Sequence, residues 1–327
     1  MTNIILTKEH GPDAVNMRDA FCQALLALAD QDERIVLLDA DLMGAMGTKP
    51  FQKKYPGRTV DCGVQEANMI GMACGLSVYG KIPFAHTFAP FCTRRACDQI
   101  FLSGAYNRAN VKVVGSDPGI TAAFNGGTHM PFEDMGIMRG IPEMTVVEPT
   151  DIVMLKNLLP QIAYKQGMVY MRLVRKEVAR VYDEGSVFEL ERAAVLSEGK
   201  DVTIIASGYC VSEALAAAEQ LAGQGVSAGV INLFTWKPID QEAILRAAAR
   251  TGAIVTAENH NVINGLGSAV SEVLSKHAPV PVEMVGVQDE FGEVGPVSYL
   301  RERFGLTADT IVQAALHVIE RKAGTKK

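Results

Sequence analysis

The sequence predicts an α/β protein of two domains, each a mostly parallel wound sheet covered by helices. Short apolar runs alternate with helical patterns along most of the chain, and continuous apolar strands are typical of parallel sheets buried on both faces. The chain has 327 residues, about twice the roughly 150 residues of an average domain. Because the alternation pauses once, we expect domains over residues 1–188 and 189–327.

The first domain opens with an amphipathic helix, predicted from about Ala14 to Ala29, whose apolar residues recur at helical spacing. The run IVLLDAD follows from Ile35 as a buried strand. Further strands are predicted in TVDCG, IPFAHTF, VKVVGSD, MTVVEP and VYMRLV, which begin at Thr59, Ile82, Val111, Met144 and Val169.

Residues 176–200 are charged and lack a long hydrophobic period, which is typical of a connection between domains. We place the boundary near Glu189. The segments DVTIIASG, VSAGVINL, AIVTAEN and VEMVGV then predict strands of a second, smaller α/β domain. Apolar stripes predict a helix that begins near Cys210 and a last helix that contains Ile311 and Ile319.

Composition argues against several classes of protein. The chain has 31 basic and 37 acidic side chains, a net charge of −6, so charge gives no reason to bind nucleic acid or an anionic membrane. No run approaches the ~18 apolar residues of a membrane span, and the first residues lack a secretory pattern, so we expect a cytoplasmic location. The six cysteines form no Cys-x-x-Cys pair, which argues against a zinc ribbon or a disulfide framework.

The most informative segment is GVQEANMIGMACGL, from Gly63 to Leu76. Glu66 follows a predicted strand and begins a helix, which places its carboxylate at the sheet edge where ligands bind in α/β folds. Taken alone, the segment favours a simpler interpretation, in which Glu66 complements the helix dipole. The helix is rich in small residues, which permit close approach to a subunit interface or a cofactor.

A second candidate segment is FAHTFAPFCTRRACDQI, from Phe84 to Ile100. A strand carries His86, and Phe88 and Phe91 follow three residues apart, before an Arg94–Arg95 pair that opens a helix. Aromatic rings there could enclose a planar heterocycle, with the arginines near anionic groups. By itself the segment favours an ordinary core aromatic pair beside solvated arginines.

The third candidate is NGGTHMPFED, residues 125–134. Gly126 and Gly127 free the backbone, so that a loop before a helix presents His129, a side chain suited to proton transfer near neutral pH. The competing interpretation is a structural histidine. The pair Gly265 and Gly267 lacks the third glycine of a dinucleotide-binding motif, and we discount it.

Together and in this order, these segments resemble the C-terminal half of transketolase. The resemblance extends from about Ala14 to Ile319 and includes DAVNMRDAFCQAL, DADL, MRGIPEMTVVEPTD, VYMRLVRK and ENHNVINGLGSAVSEVL. It implies a thiamine-diphosphate pyrimidine-binding domain followed by a transketolase C-terminal domain. It also implies transfer of a two-carbon ketol unit from a ketose to an aldose, each commonly phosphorylated, as in the pentose phosphate pathway.

The resemblance assigns roles to individual residues. Glu66 would hydrogen-bond the pyrimidine N1′ of thiamine diphosphate and so promote loss of the proton from its thiazolium C2. Glu66 and His129 are therefore the candidate catalytic residues. The candidate cofactor-binding residues are Glu66, Phe88, Phe91 and Asp41, and the candidate substrate-binding residues are Arg18, His86, Asp117, His129 and Arg175. Arg18 and Arg175 fall where the family binds the sugar phosphate.

An absent motif implies a partner. The family's N-terminal domain holds the diphosphate and Mg²⁺ with a Gly-Asp-Gly segment, and this sequence contains none. The resemblance therefore implies the small subunit of a split transketolase, with no metal site of its own and with a large subunit that carries the Gly-Asp-Gly site. Two copies of each would form an α2β2 heterotetramer that acts on sugar phosphates.

Three positions depart from the family pattern. Asp117 replaces a histidine that commonly contacts the donor phosphate, Asn125 replaces an aspartate and Ala45 replaces a serine. An acidic Asp117 would repel a dianion beside it, so a donor with a differently placed anionic group, or a non-standard sugar, stays open.

Three alternative functions also stay open. The same pair of folds occurs in 1-deoxyxylulose-5-phosphate synthase and in the β subunit of 2-oxoacid dehydrogenases. The segments GGTH and TFAPFCTRRACDQI favour transketolase over both. The presence of Glu66 and His129 argues against a non-enzymatic stabilising subunit.

Overall fold

Two open sheets, one of seven strands and one of five, form the framework of residues 3–8 and 11–324, the part of the chain that the computed structural model describes. The strands are β1 Ile35–Asp39, β2 Thr59–Asp61, β3 Ile82–Phe88, β4 Lys112–Ser116, β5 Thr145–Val147, β6 Val169–Leu173, β7 Ala194–Ser197, β8 Val202–Ala206, β9 Ala228–Asn232, β10 Thr235–Lys237, β11 Ile254–Asn261 and β12 Val282–Val287. Their orders are β10-β5-β6-β4-β3-β1-β2 and β12-β11-β8-β9-β7.

Helices flank both sheets. They are α1 Met17–Gln31, α2 Met43–Met46, α3 Lys49–Lys54, α4 Glu66–Val78, α5 Cys97–Gln99, α6 Asp134–Gly140, α7 Ile152–Tyr164, α8 Cys210–Gly223, α9 Gln241–Thr251, α10 Leu266–His277, α11 Val297–Arg303 and α12 Ala308–Gly324. Residues Phe91–Arg95 and Ile100–Tyr106 form π-helical turns, and Pro56–Arg58 and Gly119–Asn125 form 3₁₀ turns. Within residues 3–8 and 11–324, no helix is long and apolar enough to cross a membrane.

The predicted fold class is confirmed, since both sheets are mostly parallel and lie between helices. The strands β1, β3, β4 and β6 are fully buried, as their mainly apolar sequences predict. The helix α1 covers one face of the first sheet through side chains such as Phe21 and Leu25, and it shares this core with α7.

Two short strands were missing from the sequence prediction. The strand β7 forms an antiparallel edge of the second sheet, and β10 pairs antiparallel with β5 at the edge of the first sheet. The predicted connection also pairs with the N-terminal segment, through bridges such as Leu6 to Tyr182. Since β10 follows Glu189 yet completes the first sheet, the two domains interlock. The boundary itself stays a prediction.

A buried ionic network joins the two domains. Arg172 of β6 is fully buried, and its guanidinium donates two hydrogen bonds of 2.9 Å to Asp134 and one of 2.9 Å to Glu148. It also donates to the carbonyl of Asn259 in the second domain, at 2.9 Å. The hydroxyl of Ser207, from the second domain, donates to the other Glu148 oxygen at 2.7 Å. A buried charge is tolerated when its partners satisfy it in this way.

Trp236 of β10 lies in the same interface. It is buried, its indole Nε1 donates to Ser207 Oγ at 2.9 Å, and its ring centroid lies 5.4 Å from that of His260. His260 Nε2 accepts from the backbone N–H of Gly136, and Nδ1 lies 2.7 Å from the carbonyl of Asn261. These contacts require the neutral imidazole with its proton on Nδ1.

This geometry predicts a loss of stability in acid. Burial lowers the pKa of His260 to about 4, whereas a histidine in the unfolded chain has a pKa near ~6.5. Between these values only the unfolded state binds the proton at this histidine, so the contribution of His260 to the free energy of unfolding should fall as pH falls from ~6.5 to about 4. Urea titrations across this window should show a smaller fall for His260→Gln. Identical pH dependence in both proteins would contradict the assignment.

Candidate active site

The candidate site lies along the carboxyl ends of four adjacent parallel strands. In the order β6-β4-β3-β1, the residues that follow these strands include Arg175, Asp117, Phe91 and Asp41. Ligands of open α/β sheets bind at this edge, where loops bring side chains from distant parts of the sequence together. Asp41 and Asp117 both have left-handed backbones, with φ of 62° and 56°, and such conformations cluster at functional sites.

Glu66 begins α4 and is 5% exposed. Its Oε1 accepts from Arg95 Nη1 at 2.8 Å, and Oε2 has no partner among the described residues. The Arg95 guanidinium also lies 3.9 Å from the centroid of the Phe91 ring. Arg95 thus links the carboxylate to the aromatic side chains.

Phe88, Phe91 and His129 form an aromatic cluster. The Phe88 and Phe91 centroids lie 6.0 Å apart, and the His129 ring meets them edge-on at 6.0 and 5.0 Å. The Nδ1 atom of His129 lies 2.8 Å from the hydroxyl of Thr128. Its Nε2 has no partner within residues 3–8 and 11–324, so that edge of the ring is available to a ligand.

The loop that carries His129 is held from both sides. Gly126 has φ of 74°, which favours glycine, and the carbonyl of Gly292 lies so close to Gly127 that a Cβ there would overlap it. On the other side, Arg94 donates to the carbonyl of Thr128 at 3.0 Å. The second domain and the π-helical turn therefore fix the position of His129 together.

Arg175 and Asp117 form an ion pair. Arg175 Nε lies 3.1 and 3.0 Å from the two Asp117 oxygens, and the two side chains are 17% and 2% exposed. The Arg175 guanidinium lies 5.5 Å from the Phe88 centroid, which joins the pair to the aromatic cluster. The backbone N–H of Arg18 donates to the carbonyl of Arg175 at 3.2 Å. The guanidinium of Arg18 donates to the Ala45 carbonyl at 2.7 Å.

His86 is fully buried below this edge. Its Nδ1 lies 2.8 Å from Asp39 Oδ2 and its Nε2 lies 3.1 Å from Ser116 Oγ. Both ring nitrogens are therefore used inside the chain, and a contact with substrate, which stays a prediction, would replace one of these bonds. The three residues tie the ends of β1, β3 and β4 together, and Ser116 directly precedes Asp117.

The structure brings most of the predicted site residues together. Contacts join Glu66 through Arg95 to the aromatic cluster, and the aromatic cluster to Arg175 and Asp117. Asp41 stands apart, exposed at the end of β1 with its backbone N–H bonded to Asp61. Its approach to the cofactor stays a prediction.

Sequence reasoning missed the pairing partners. It left Arg95 as one of two solvated arginines, although it lies next to Glu66, and it treated Asp117 and Arg175 as independent. The Arg-Arg doublet soon after Phe91 was the available signal. The order of the parallel strands could have suggested that residues after β4 and β6 meet.

These residues fit the aminopyrimidine half of thiamine diphosphate. A buried carboxylate with an unused oxygen can hydrogen-bond a ring nitrogen, and neighbouring aromatic rings can pack on a planar heterocycle. Among the described residues, no group of three or more His, Cys, Asp or Glu side chains is arranged to hold a metal ion.

Comparison with known families identifies the fold. The family model described as the pyrimidine-binding domain of transketolase matches residues 13–181, and that of the transketolase C-terminal domain matches residues 191–311. The chain belongs to the transketolase family. The resemblance inferred from the motifs is thereby confirmed.

Relatives within the transketolase family include proteins of similar length. The chain is 57% identical to the 6-deoxy-6-sulfo-D-fructose transketolase subunit SqwH of Clostridium sp. (strain MSTE9), over 94% of this chain and 95% of that protein. It is 34% identical to human transketolase over 94% of this chain, but it spans only 50% of the human protein. These transketolase relatives favour the transketolase interpretation over the two alternative thiamine enzymes.

A solved transketolase structure has the same fold. It is described as a split gene transketolase, an inactive beta4 tetramer, and it superposes with a TM-score of 0.88 at 42% identity. The match covers 94% of this chain and 100% of that one.

Proposed function

We propose that this chain is the small subunit of a two-chain, thiamine diphosphate-dependent transketolase whose ketose donor carries a sulfonate. The observation that carries the proposal is the buried Glu66 carboxylate, which Arg95 links to the aromatic cluster of Phe88, Phe91 and His129, in a transketolase-family chain. The 57% identity to a subunit of a 6-deoxy-6-sulfo-D-fructose transketolase supports the choice of donor.

In the proposed reaction, individual side chains of this chain have separate roles. Glu66 holds and exchanges a proton at the pyrimidine ring, and Phe88 and Phe91 pack on that ring. His129 directs Nε2 toward substrate hydroxyls, and Arg175 binds the anionic end of the sugar. Thiamine diphosphate, when bound, supplies the carbon nucleophile that such ketol transfers require.

The reaction is a balanced exchange between two sugars. The C2–C3 bond of the ketose breaks, and its first two carbons join the aldehyde carbon of an aldose, which becomes a ketose two carbons longer. From 6-deoxy-6-sulfo-D-fructose, the remaining four carbons leave as an aldose with the sulfonate on C4. No oxidant or reductant is consumed.

A large subunit completes the proposed enzyme. It would hold the diphosphate and Mg²⁺ in its Gly-Asp-Gly site, and an α2β2 heterotetramer would place each cofactor between chains. The absence of Gly-Asp-Gly from this sequence and the similarity to a split gene transketolase support this arrangement.

The requirement for a partner can be tested by calorimetry. Titration of the isolated chain with thiamine diphosphate and Mg²⁺ should show little binding, because this chain provides only the pyrimidine half of the site. A mixture with a large subunit that carries the Gly-Asp-Gly site should bind the cofactor. Tight binding by the isolated chain would refute the two-subunit proposal.

The donor can be tested with the reconstituted pair. With one aldose acceptor, kcat/KM should be higher for 6-deoxy-6-sulfo-D-fructose than for fructose 6-phosphate or xylulose 5-phosphate. A four-carbon sulfonated aldose should appear in equal amount to the extended acceptor. If only the phosphorylated ketoses react, the proposal of a sulfonated donor is wrong, whereas the proposal of ketol transfer is supported.

A further inference from the structure

The ion pair between Asp117 and Arg175 changes what this arginine can bind. Asp117 occupies the Nε side of the guanidinium, at 3.1 and 3.0 Å. In the part of the chain that the structure describes, neither terminal nitrogen of Arg175 has an acceptor. Arg175 therefore keeps both terminal nitrogens as donors for a ligand, but its charge is already matched by the Asp117 carboxylate.

Asp117 is fixed in this position. Its side chain is 2% exposed, and its backbone has φ of 56° at the end of β4. The buried Asp39–His86–Ser116 chain holds the residue directly before it. Burial raises the pKa of Asp117, while Arg175, His86 and Ser116 oppose the rise. The carboxylate can neither turn toward solvent nor be screened well by it.

Several other charged groups at this edge also have partners within the chain. Arg18 Nε of α1 lies 3.6 Å from Asp19, and one of its two terminal nitrogens, Nη1, donates to the Ala45 carbonyl. His86 of β3 faces Asp39 of β1, and His129 lies across the Phe88 ring. Arg175 and Arg18 thus each lie beside an aspartate, which suits a ligand of one negative charge better than a dianion.

We infer that Asp117 is a specificity-determining residue, which makes Arg175 select a monoanionic sulfonate over a dianionic phosphate at the end of the sugar. A sulfonate offers three oxygens to the two free guanidinium nitrogens and carries one charge at any physiological pH. A phosphate ester also ends in three oxygens, although its ester oxygen places them one atom farther from the sugar carbon. It carries a second charge above its second pKa of ~6, and that charge would face the Asp117 carboxylate. The inference rests on the proposed ketol transfer.

The phosphate donor itself provides a test with the wild-type enzyme. Below pH ~6 fructose 6-phosphate becomes a monoanion like 6-deoxy-6-sulfo-D-fructose, whose charge does not change. The ratio of kcat/KM values, sulfonate over phosphate, should therefore fall about 10-fold between pH 8 and pH 5.5. Effects of pH on the shared catalytic residues cancel in this ratio.

The substitution Asp117→Asn should remove the preference for the sulfonate donor over the phosphate donor. The amide can still accept from Arg175 Nε, so the arginine keeps its place but loses its compensating charge. At pH 8 the ratio of kcat/KM for the sulfonate donor to kcat/KM for the phosphate donor should fall at least ~10-fold, mainly through a lower KM for the phosphate donor. The ratio should also depend less on pH than it does in the wild type. Arg175→Ala should raise KM for both donors, with a smaller effect on glycolaldehyde as acceptor.

A matched control lies at the opposite edge of the sheet. Just before β1, Asp32 pairs with Arg34, whose Nε lies 3.0 and 3.1 Å from the two carboxylate oxygens and whose Nη2 donates to Oδ2 at 2.7 Å. Asp32→Asn should leave the ratio and its pH dependence unchanged.

The outcomes separate the two proposals. If both donors react but the ratio neither varies with pH nor changes in Asp117→Asn, this inference is wrong while ketol transfer stands. If no ketose reacts with the reconstituted pair, the proposed function is wrong and the inference fails with it.

Discussion

Replacement of Glu66 by glutamine should reduce turnover of the assembled enzyme by ~100-fold or more. The carboxamide has nearly the shape of the carboxylate and can still accept from Arg95, so the chain should fold and pair with its partner. It cannot hold and release a proton at the pyrimidine ring, which is the role proposed for this residue. Steady-state turnover at saturating thiamine diphosphate is the measurement, with sedimentation to confirm assembly.

Glu272 offers a matched control for this substitution. Its carboxylate accepts from Arg139 at 2.8 Å, as Glu66 accepts from Arg95, but it lies on α10 in the second domain. Glu272→Gln should keep full turnover. Near-normal turnover of a correctly assembled Glu66→Gln enzyme would exclude the proton-transfer role.

The second large effect is expected for His129. Its Nε2 is free for a substrate hydroxyl, while Nδ1 is held by Thr128. His129→Ala should lower kcat/KM by ~100-fold and change the affinity for thiamine diphosphate only slightly, because Phe88 and Phe91 still pack on the pyrimidine. Initial rates and calorimetry of the reconstituted pair measure the two quantities.

The alanine also leaves a gap between the aromatic rings, which could loosen the site. His129→Phe fills that gap without a hydrogen-bonding nitrogen and should lose activity equally. His317, a histidine exposed on α12, provides the control, since His317→Ala should behave as wild type. Recovery of activity in His129→Phe would show that packing alone explains the effect.

The elements that build the sheets were predictable because burial on both faces demands continuous apolar strands. Strands β1 and β3 begin where the apolar runs of the sequence begin, at Ile35 and Ile82. The strands β7 and β10 have three or four residues and irregular register, and such edge segments carry little hydrophobic signal. The strand β10 follows the predicted domain boundary in the sequence, but it hydrogen-bonds to β5 in the sheet of the first domain. No local sequence pattern reveals this pairing.

The sequence predicted the main residues of the candidate site, but it did not predict which charged side chains form ion pairs with each other. The motifs pointed to Glu66 and His129, yet Arg95 lies 29 residues from Glu66, and Arg175 lies 58 residues from Asp117. Only the strand order brings such residues together. The π-helical turn at Phe91–Arg95 was also missed, since an extra residue in a turn does not follow the 3.6-residue period that identifies helices.

The position of Trp236 gives the isolated chain a built-in optical signal. It is the single tryptophan in the sequence. Its indole is buried between the two domains, where it contacts Ser207 and His260. Its fluorescence therefore reports the environment of the interface between the two domains rather than that of the candidate active site. A red shift of the emission would mark separation of the domains, so their docking can be followed without a label.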